Sequence, residues 1–277
     1  MKRGIYLIPF LLSLLFILFS CSSTDKSRKE AFEKEADIRR EIKLGKAIAL
    51  KIVHQYPLLN DPKATEYINK VGKSVALFAG RSDFEYYFGI LDTDSINAYA
   101  APGGYVFITK GALALMENEA HLAVVLAHEI AHINLQHIIK YMPPPRDTSS
   151  VVDSIAAVLS AQGTMVSAAM NQVAEQAVKV LFEEGYKKED ERMADINALS
   201  YAAATGYSAH ALPNFIKRID SVMGEQDGKK AYNTHPSPDE RISYLNTAIM
   251  TQGFAEQRPD ARARFLKYIS HLKKPKS

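Results

Sequence analysis

The chain has 277 residues, 47% of them hydrophobic and 23% charged, which is typical of a globular protein with one sizeable core. Its formal charge is only +3. A nearly neutral chain gives no electrostatic reason to expect nucleic-acid binding, so we predict no nucleic-acid partner.

The N-terminus has the features of an export signal. Two basic residues precede an apolar run over residues 5–19, which is shorter than the roughly 20 residues that a membrane-spanning helix needs. The run ends at Cys21, the only cysteine of the chain. This pattern resembles a bacterial lipoprotein signal, although Phe19 stands where such signals usually have a small residue. The resemblance predicts a lipidated Cys21 and a membrane anchor without a spanning helix. The alternative is an incidental cysteine after an ordinary signal peptide.

The predicted organisation is simple. Residues 1–20 are the signal peptide, and residues 21–37 are the lipidated cysteine with a polar tether. The second part of the polar segment 22–40 is expected to become helical. Residues 38–270 form a single domain, followed by a basic tail at 271–277. We find no internal repeat in the chain.

Within the domain, the apolar spacing predicts mostly helices. A first helix ends before Pro57, and Asp61 with Pro62 predicts the N-cap and first residue of the next. Gly206 is predicted to terminate a later helix. The predicted strands are 84–91, 96–101 and 105–109, and the further predicted helices are 112–116, 119–141, 189–204, 209–223 and one from residue 239. The fold class predicted is α+β and mainly α-helical.

Residues 147–179 differ in composition from the rest of the chain. They are rich in Ala, Ser, Val and Gln, with few large side chains. Small residues pack weakly, which favours a mobile lid over a cleft. A plain helical hairpin packed on the core explains the composition equally well, and both interpretations stay open.

The predicted helix 119–141 carries the most informative motif, which has the form HExxH. His128 and His132 are four residues apart, so on a helix both imidazoles lie on one face and can bind one zinc ion. Glu129 lies beside them, where a carboxylate can accept a proton from the attacking water. The motif predicts a zinc hydrolase, most simply a peptidase.

A second motif lies some sixty residues downstream. Glu191 and Asp195 are again four apart and share a helix face. Glu191 is the candidate third zinc ligand, and Asp195 is a candidate acceptor for the second ring N–H of a liganding histidine. On their own, the two carboxylates are as well explained by a solvated helix face. By periodicity, His121 and His137 are predicted to face away from the metal.

Several stretches carry a resemblance to a known family. They are the segment 41–71, Asn97–Ala98–Tyr99–Ala100 with the following Ala-Pro-Gly-Gly, the segment 122–132, the motif from Glu191 to Asp195, and the segment 235–241. Together they resemble metallopeptidase family forty-eight, which contains the HtpX, CAAX-prenyl-protease and Oma-type enzymes. The likeness is greatest to its bacterial periplasmic members and covers about residues 38–250.

The resemblance implies a gluzincin fold with a small sheet beside the HExxH helix. It implies zinc on His128, His132 and Glu191, Glu129 as general base, and Asp195 in contact with a ligand. It also implies that Asn97, Ala98, Tyr99 and Ala100 pair with an extended substrate, which agrees with β-augmentation as a way to hold a peptide. His235 resembles a family histidine near the metal, where it either stabilises the oxyanion or occupies the open zinc position.

The function predicted is a lipid-anchored, zinc-dependent endopeptidase of the bacterial envelope that acts on protein or peptide substrates, including misfolded ones. It faces the periplasm, with the outer membrane favoured over the inner. Two alternatives are open. One is a metal-binding envelope chaperone or scaffold with an autoinhibited site, and the other is a structural lipoprotein with an accidental HExxH, which would hold no stoichiometric zinc.

Overall fold

The computed structural model describes residues 7–142, 164–223, 235–255 and 261–273, with side chains described from residue 26 onward and not for 164–170. The chain divides into two compact units, residues 1–40 and 41–277. Among the described residues, no helix combines the length and the apolar character that crossing a membrane requires.

The helices of the described residues are α1 (Leu7–Gln55), α2 (Pro62–Ala76), α3 (Lys110–Leu115), α4 (Glu119–Asn134), α5 (His137–Lys140), α6 (Thr164–Lys179), α7 (Lys188–Thr205), α8 (Ala211–Met223), α9 (Pro238–Gln252) and α10 (Arg262–Ile269). The strands are β1 (Tyr87–Leu91), β2 (Ala98–Ala101) and β3 (Tyr105–Thr109). The mainly helical fold with a small sheet is therefore as predicted.

The described part of the first unit, residues 7–40, is helical and belongs to α1. Helix continues through residues 21–37, including the first part, for which the sequence predicted a tether. Exposed pairs four residues apart, Lys26 with Glu30 and Lys29 with Glu33, lie at 3.9 Å. Each such pair stabilises a helix by only about 0.3–0.5 kcal/mol, but several in succession favour helix over an irregular chain.

The sheet has the order β1-β3-β2, so β2 lies at an edge. Strand β1 runs parallel to β3, and β2 runs antiparallel to it with Ala98 opposite Ile108 and Ala101 opposite Tyr105. The turn between β2 and β3 depends on glycine, since Gly104 has φ +93° and a Cβ there would lie 2.1 Å from the carbonyl oxygen of Glu85.

Two predicted helix boundaries are confirmed. Asp61 caps α2 by accepting a hydrogen bond from the Ala64 N–H, with Pro62 at the first helical position. Gly206 ends α7 in the left-handed conformation, with φ +96°. The boundaries hold because capping depends on a few adjacent residues, which the sequence displays directly.

Helix α4 is shorter than predicted, and this changes the site. It ends at Asn134, and Gln136 adopts a left-handed conformation with φ 52° before the short helix α5 begins. The Gln136 side chain donates a hydrogen bond of 3.3 Å to buried Glu41. The part of the predicted lid from 147 to 163 lies outside the described residues.

The core is built around α4, whose residues are buried on all sides. Leu122, Leu126 and Ile130 are fully buried, and α4 packs lengthwise along α7. A helix that is apolar all round can be accommodated only in the centre of a domain. The HExxH motif is therefore held on a rigid, enclosed element.

Buried Glu119, in the first turn of α4, is held by three donors. Tyr67 and Tyr207 each donate a hydrogen bond of 2.6 Å to its carboxylate, and Arg264 donates two more. Burial alone would raise the pKa of Glu119, but the hydrogen bonds from Arg264 and the two tyrosines outweigh it and lower the pKa. The network ties α2, α4 and α10 to the segment that follows α7.

Glu119→Gln is expected to lower the free energy of unfolding by about 2 kcal/mol at pH 7, because two buried hydroxyls and Arg264 lose a charged acceptor. Since the folded pKa is lowered, the stabilisation is present above the ordinary pKa of 4.5 and disappears as the pH falls through the folded value. Urea titrations of both proteins at pH 7 and pH 3 measure this. Glu117→Gln, at a half-exposed ion pair, is the control and should cost under about 1 kcal/mol. A difference that persists undiminished at pH 3 contradicts the assignment.

Candidate metal centre

The two motif histidines meet on one face of α4, as predicted. The Nε2 atoms of His128 and His132 lie 3.0 Å apart, and both side chains are buried. Two zinc ligands at ordinary zinc–nitrogen distances and tetrahedral angles lie about 3.3 Å apart. The two nitrogens are thus spaced for a single ion.

The carboxylate of Glu191 completes the set from the first turn of α7. Its oxygens lie 3.4 Å from His132 Nε2 and 3.6 Å from His128 Nε2. One donor atom from each of the three residues lies within 4.8 Å of the other two. Glu191 is fully buried, and its Oε1 has no hydrogen-bond partner. An orphaned buried carboxylate oxygen facing two imidazole nitrogens fits a zinc ion, which takes this donor set.

Burial would raise the pKa of Glu191, but the nearby charge and hydrogen bond of His235 hold that pKa well below its usual range. Glu191 follows Glu189 and Asp190 in the first turn of α7, where the helix dipole favours negative charge. The carboxylate is therefore ionised at neutral pH, as a metal ligand must be.

Asp195 lies one helical turn beyond Glu191, at the place predicted for it. Its Oδ1 is 2.8 Å from His128 Nδ1. Arg241 donates two hydrogen bonds to the same carboxylate, at 2.9 and 2.7 Å, and Tyr244 donates a third. Burial would raise the pKa of Asp195, but the Arg241 charge lowers it far below the usual range. An ionised Asp195 beside Nδ1 leaves the Nε2 lone pair of His128 free for the metal.

The prediction that His137 faces away from the metal is wrong. Its Nδ1 lies 2.9 Å from the Nδ1 of His132, and its ring is fully buried. The periodic extrapolation failed because α4 ends before His137 and the chain turns at Gln136. His137 Nε2 lies 3.5 Å from Asp190, whose carboxylate accepts hydrogen bonds of 2.9 Å from Lys140 and Tyr141.

The protonation of the His132 and His137 ring nitrogens follows from the nitrogen that His132 presents to the metal. If His132 uses Nε2 as a ligand, its Nδ1 carries the hydrogen and donates it to His137 Nδ1. Burial lowers the pKa of His137 to about 4, so its ring is neutral at pH 7 and can accept that bond. Each motif histidine thus has its own orienting partner, Asp195 for His128 and His137 for His132.

His137→Ala is expected to weaken zinc binding by about 10- to 100-fold, because His132 loses the acceptor that fixes its tautomer and ring orientation. Competition for zinc against a fluorescent chelator measures the dissociation constant. His121→Ala, a buried histidine of α4 whose ring packs on Phe215, is the matched control. Equal affinities in the two variants would argue against an orienting role for His137.

Glu129 lies beside these ligands and is itself buried. Burial raises its pKa to about 7. A carboxylate with a pKa near neutral can both accept and release a proton under ordinary conditions, which suits a general base. The role of Glu129 as general base stays a prediction.

His235 reaches the site from the segment before α9. Its Nδ1 lies 2.5 Å from a Glu191 oxygen, and its ring centre is 6.1 Å from that of His128. The side chain is 28% exposed. It is not one of the three clustered donors, and its role as oxyanion partner or fourth ligand stays a prediction.

Tyr186 was not singled out from the sequence. Its ring stacks on His132 with centroids 4.4 Å apart, and its buried hydroxyl has no hydrogen-bond partner. The residue follows Gly185, which has φ +72° and ends a π-helical turn, Val180–Glu184. Such turns are frequent at functional sites, but a tyrosine in a polar stretch carries no signal of its own in the sequence.

Part of the predicted substrate strand borders the metal centre. Asn97 and Ala98 line a cleft together with His128 and Glu129. Tyr99 and Ala100 are buried, and the Tyr99 ring packs on Phe182 at 4.5 Å. The side chain of Cys21 lies outside the described residues.

Comparisons with known proteins find similarity to metallopeptidases. The model of peptidase family M48 matches residues 62–249. The chain is 26% identical to the β-barrel assembly-enhancing protease of Escherichia coli over 74% of its own length and 43% of that protein. It is 30% identical to the mitochondrial metalloendopeptidase OMA1 of Schizosaccharomyces pombe over 64% of its length and 51% of that protein. Metalloprotease YcaL of Escherichia coli is 24% identical over 57% of this chain and 59% of its own length. The chain thus matches about half the length of these relatives.

Proposed function

The chain belongs to peptidase family M48, and from this premise we propose that it is a zinc-dependent endopeptidase acting on protein substrates. The observation that carries the proposal is the buried cluster of His128, His132 and Glu191 donor atoms within 4.8 Å of one another. Beside it stands Glu129, a buried carboxylate with a pKa near 7. Three protein ligands, leaving room for a fourth, and a neighbouring base are the arrangement of a catalytic zinc site.

The chemistry divides among few residues. Zinc held by His128, His132 and Glu191 supplies Lewis acidity toward the attacking water and the scissile carbonyl. Glu129 takes the proton from that water and delivers it to the leaving amine. Asp195 and His137 keep the two imidazoles oriented with Nε2 toward the ion.

Two further residue groups position the substrate in this proposal. The backbone of β2, at the sheet edge, pairs with an extended peptide, with Asn97 and Ala98 nearest to the reacting bond and Tyr99 and Ala100 continuing the strand. His235 donates a hydrogen bond to the developing oxyanion when it is not engaged with Glu191. The alternative, in which His235 takes the open coordination position, makes the same residue an inhibitor.

The proposal includes the bacterial envelope as the place of action, with misfolded envelope proteins as substrates and quality control as the role. The apolar run before Cys21 supports export, and the relative named for β-barrel assembly supports an envelope context. Cys21 carries the lipid that anchors the protein, facing the periplasm and more consistent with the outer than the inner membrane.

Lipidation has a direct test. Cells expressing the chain with an alkyne-labelled fatty acid should incorporate the label into the wild type and not into Cys21→Ser, because Cys21 is the only thiol. The labelled protein should sediment with membranes and be released by detergent. Equal labelling of both proteins would overturn the anchor, and an unlabelled, soluble wild type would leave an ordinary signal peptide as the explanation.

The peptidase proposal is tested on the purified protein with unfolded casein as substrate. We expect about one zinc per chain, and cleavage that stops when a chelator removes zinc and returns when zinc is restored. Stoichiometric zinc without cleavage under any condition would favour the alternative of a metal-binding chaperone or scaffold with a blocked site. A chain without stoichiometric zinc would overturn both.

A further inference from the structure

The hydroxyl of Tyr186 is buried at the metal centre and has no role in the mechanism proposed for it. Among the described residues, four buried side-chain atoms lack a hydrogen-bond partner, namely His128 Nδ1, His137 Nε2, Glu191 Oε1 and the Tyr186 hydroxyl. The two histidine nitrogens face carboxylates, and the Glu191 oxygen faces the imidazoles of the motif. Only the hydroxyl remains to be explained. A buried donor without an acceptor costs stability, so it calls for a ligand that supplies one.

Tyr186 borders the space in which a bound peptide would react. It lines a cavity of about 300 Å³, including the part open to solvent. The cavity also has in its walls the proposed base, a motif histidine, the histidine before α9 and the start of the predicted substrate strand, which are Glu129, His132, His235, Asn97, Ala98 and Tyr99. A substrate carbonyl that reaches Glu129 from β2 therefore enters the cavity that Tyr186 lines.

The Tyr186 hydroxyl is a neutral donor on the metal side of its ring. Burial raises the pKa of Tyr186 well above its usual value, and the carboxylates of Glu129 and Glu191 raise that pKa further. The ring also borders a smaller cavity beside Glu41, whose carboxylate is not among the groups that raise the pKa most. The hydroxyl therefore keeps its proton at neutral pH and lies toward the two carboxylates of the metal centre, with a hydrogen to donate.

The ring of Tyr186 is held in place before any substrate arrives. It lies nearly parallel to the ring of His132, at an interplanar angle of 18° and with centroids 4.4 Å apart, and it meets Tyr141 edge-on at 5.5 Å. By contrast, the Nδ1 of His235 is engaged with Glu191 at 2.5 Å. A donor already fixed where negative charge develops stabilises that charge without reorganisation. Tyr186 meets this condition in the structure as it stands.

We propose that Tyr186 is a catalytic residue whose hydroxyl donates a hydrogen bond to the scissile carbonyl oxygen as negative charge develops on it. The proposal rests on the endopeptidase function and adds to it an oxyanion donor that acts independently of His235. A hydrogen bond to an oxygen strengthens as that oxygen gains charge, so the bond favours the transition state over the bound substrate. Its loss should therefore lower kcat more than it changes KM.

Tyr186→Phe keeps the ring on His132 and removes only the hydroxyl. We expect kcat for a quenched peptide to fall by about 100-fold, with KM changed by less than about 3-fold and zinc content unchanged. Tyr56→Phe is the matched control, because its ring packs at 5.6 Å on Phe182 of the π-helical turn before Tyr186. It should leave kcat within about 2-fold of the wild type. An unchanged kcat in Tyr186→Phe, or an equal loss in both variants, would refute the proposal.

Two measurements test the hydroxyl without turnover. A phosphonamidate peptide, whose tetrahedral phosphorus carries the oxygens of the transition state, should bind zinc-loaded Tyr186→Phe at least about 10-fold more weakly than the wild type by calorimetry. The melting temperature of the metal-free protein should stay the same or rise in Tyr186→Phe, because the lost hydroxyl had no partner. A lower melting temperature would show a structural partner and count against the proposal.

The binding result also separates this proposal from the peptidase function. Equal affinities for the phosphonamidate overturn the role of Tyr186 even if casein is cleaved. A wild type that binds the phosphonamidate through Tyr186 but cleaves nothing refutes the peptidase function and leaves the hydrogen bond assigned.

Discussion

Glu129→Gln is expected to lower kcat/KM for casein and for peptide substrates by about 10³-fold while zinc content stays at one per chain. The amide has nearly the shape of the carboxylate but cannot take the proton of the attacking water. Glu129 is only 6% exposed, so its carboxylate acts where contact with bulk water is small. Initial rates with quenched peptides and zinc analysis by atomic absorption measure both quantities.

The matched control is Glu189→Gln, an exposed acid in the first turn of α7 near the metal ligand. It should change neither rate nor zinc content. Both variants change the net charge by the same amount, so a difference between them reports the loss of the Glu129 carboxylate itself. Full activity in Glu129→Gln would show that another group abstracts the proton, and zinc loss in that variant would show that Glu129 supports the ligands instead.

The cluster of candidate ligands was predictable because its information is local. The spacing of four residues places His128 and His132 on one face of α4, and the same spacing places Glu191 and Asp195 on one face of α7. Each half of the site therefore lies within about one turn of a single helix. The two halves meet because α7 packs along α4. Helix α4 is apolar on all sides and therefore lies at the centre of the domain. The three strands also followed from local alternation and turn residues, with boundaries off by at most three residues at β1.

The orientation of His137 was not predictable in the same way. Residues 119–141 hold neither glycine nor proline, so nothing local indicates a helix end. The left-handed conformation of Gln136 is accompanied by its hydrogen bond to Glu41, a residue 95 positions away. Such a contact exists only once α1 and α4 are docked, and periodicity carries no information about it.

The partners of Asp195 show an intermediate case. Arg241 falls within the segment 235–241 that resembles the family, so a signal was present, but its role depends on α9 packing beside α7. Tyr244 lies one turn further along α9, outside the segments that resemble the family. Residues that orient a ligand come from several segments, and the sequence reveals them only where they share a motif with the ligand.

Glu191→Gln is expected to weaken zinc binding by at least about 100-fold and to abolish peptide cleavage at micromolar zinc. The amide oxygen carries no charge to offset the ion in a fully buried site, whereas the wild-type carboxylate is held ionised with a strongly lowered pKa. Zinc that binds only the folded state stabilises it, so free zinc at 100 times the dissociation constant adds about 2.7 kcal/mol to the free energy of unfolding. The melting temperature of the wild type should therefore rise with zinc, while that of Glu191→Gln should not. Calorimetry measures both quantities, with Glu189→Gln as control. An unchanged zinc affinity in Glu191→Gln would remove this carboxylate from the ligand set. The nearest candidate to replace it would then be His235, whose Nδ1 lies 2.5 Å from a Glu191 oxygen.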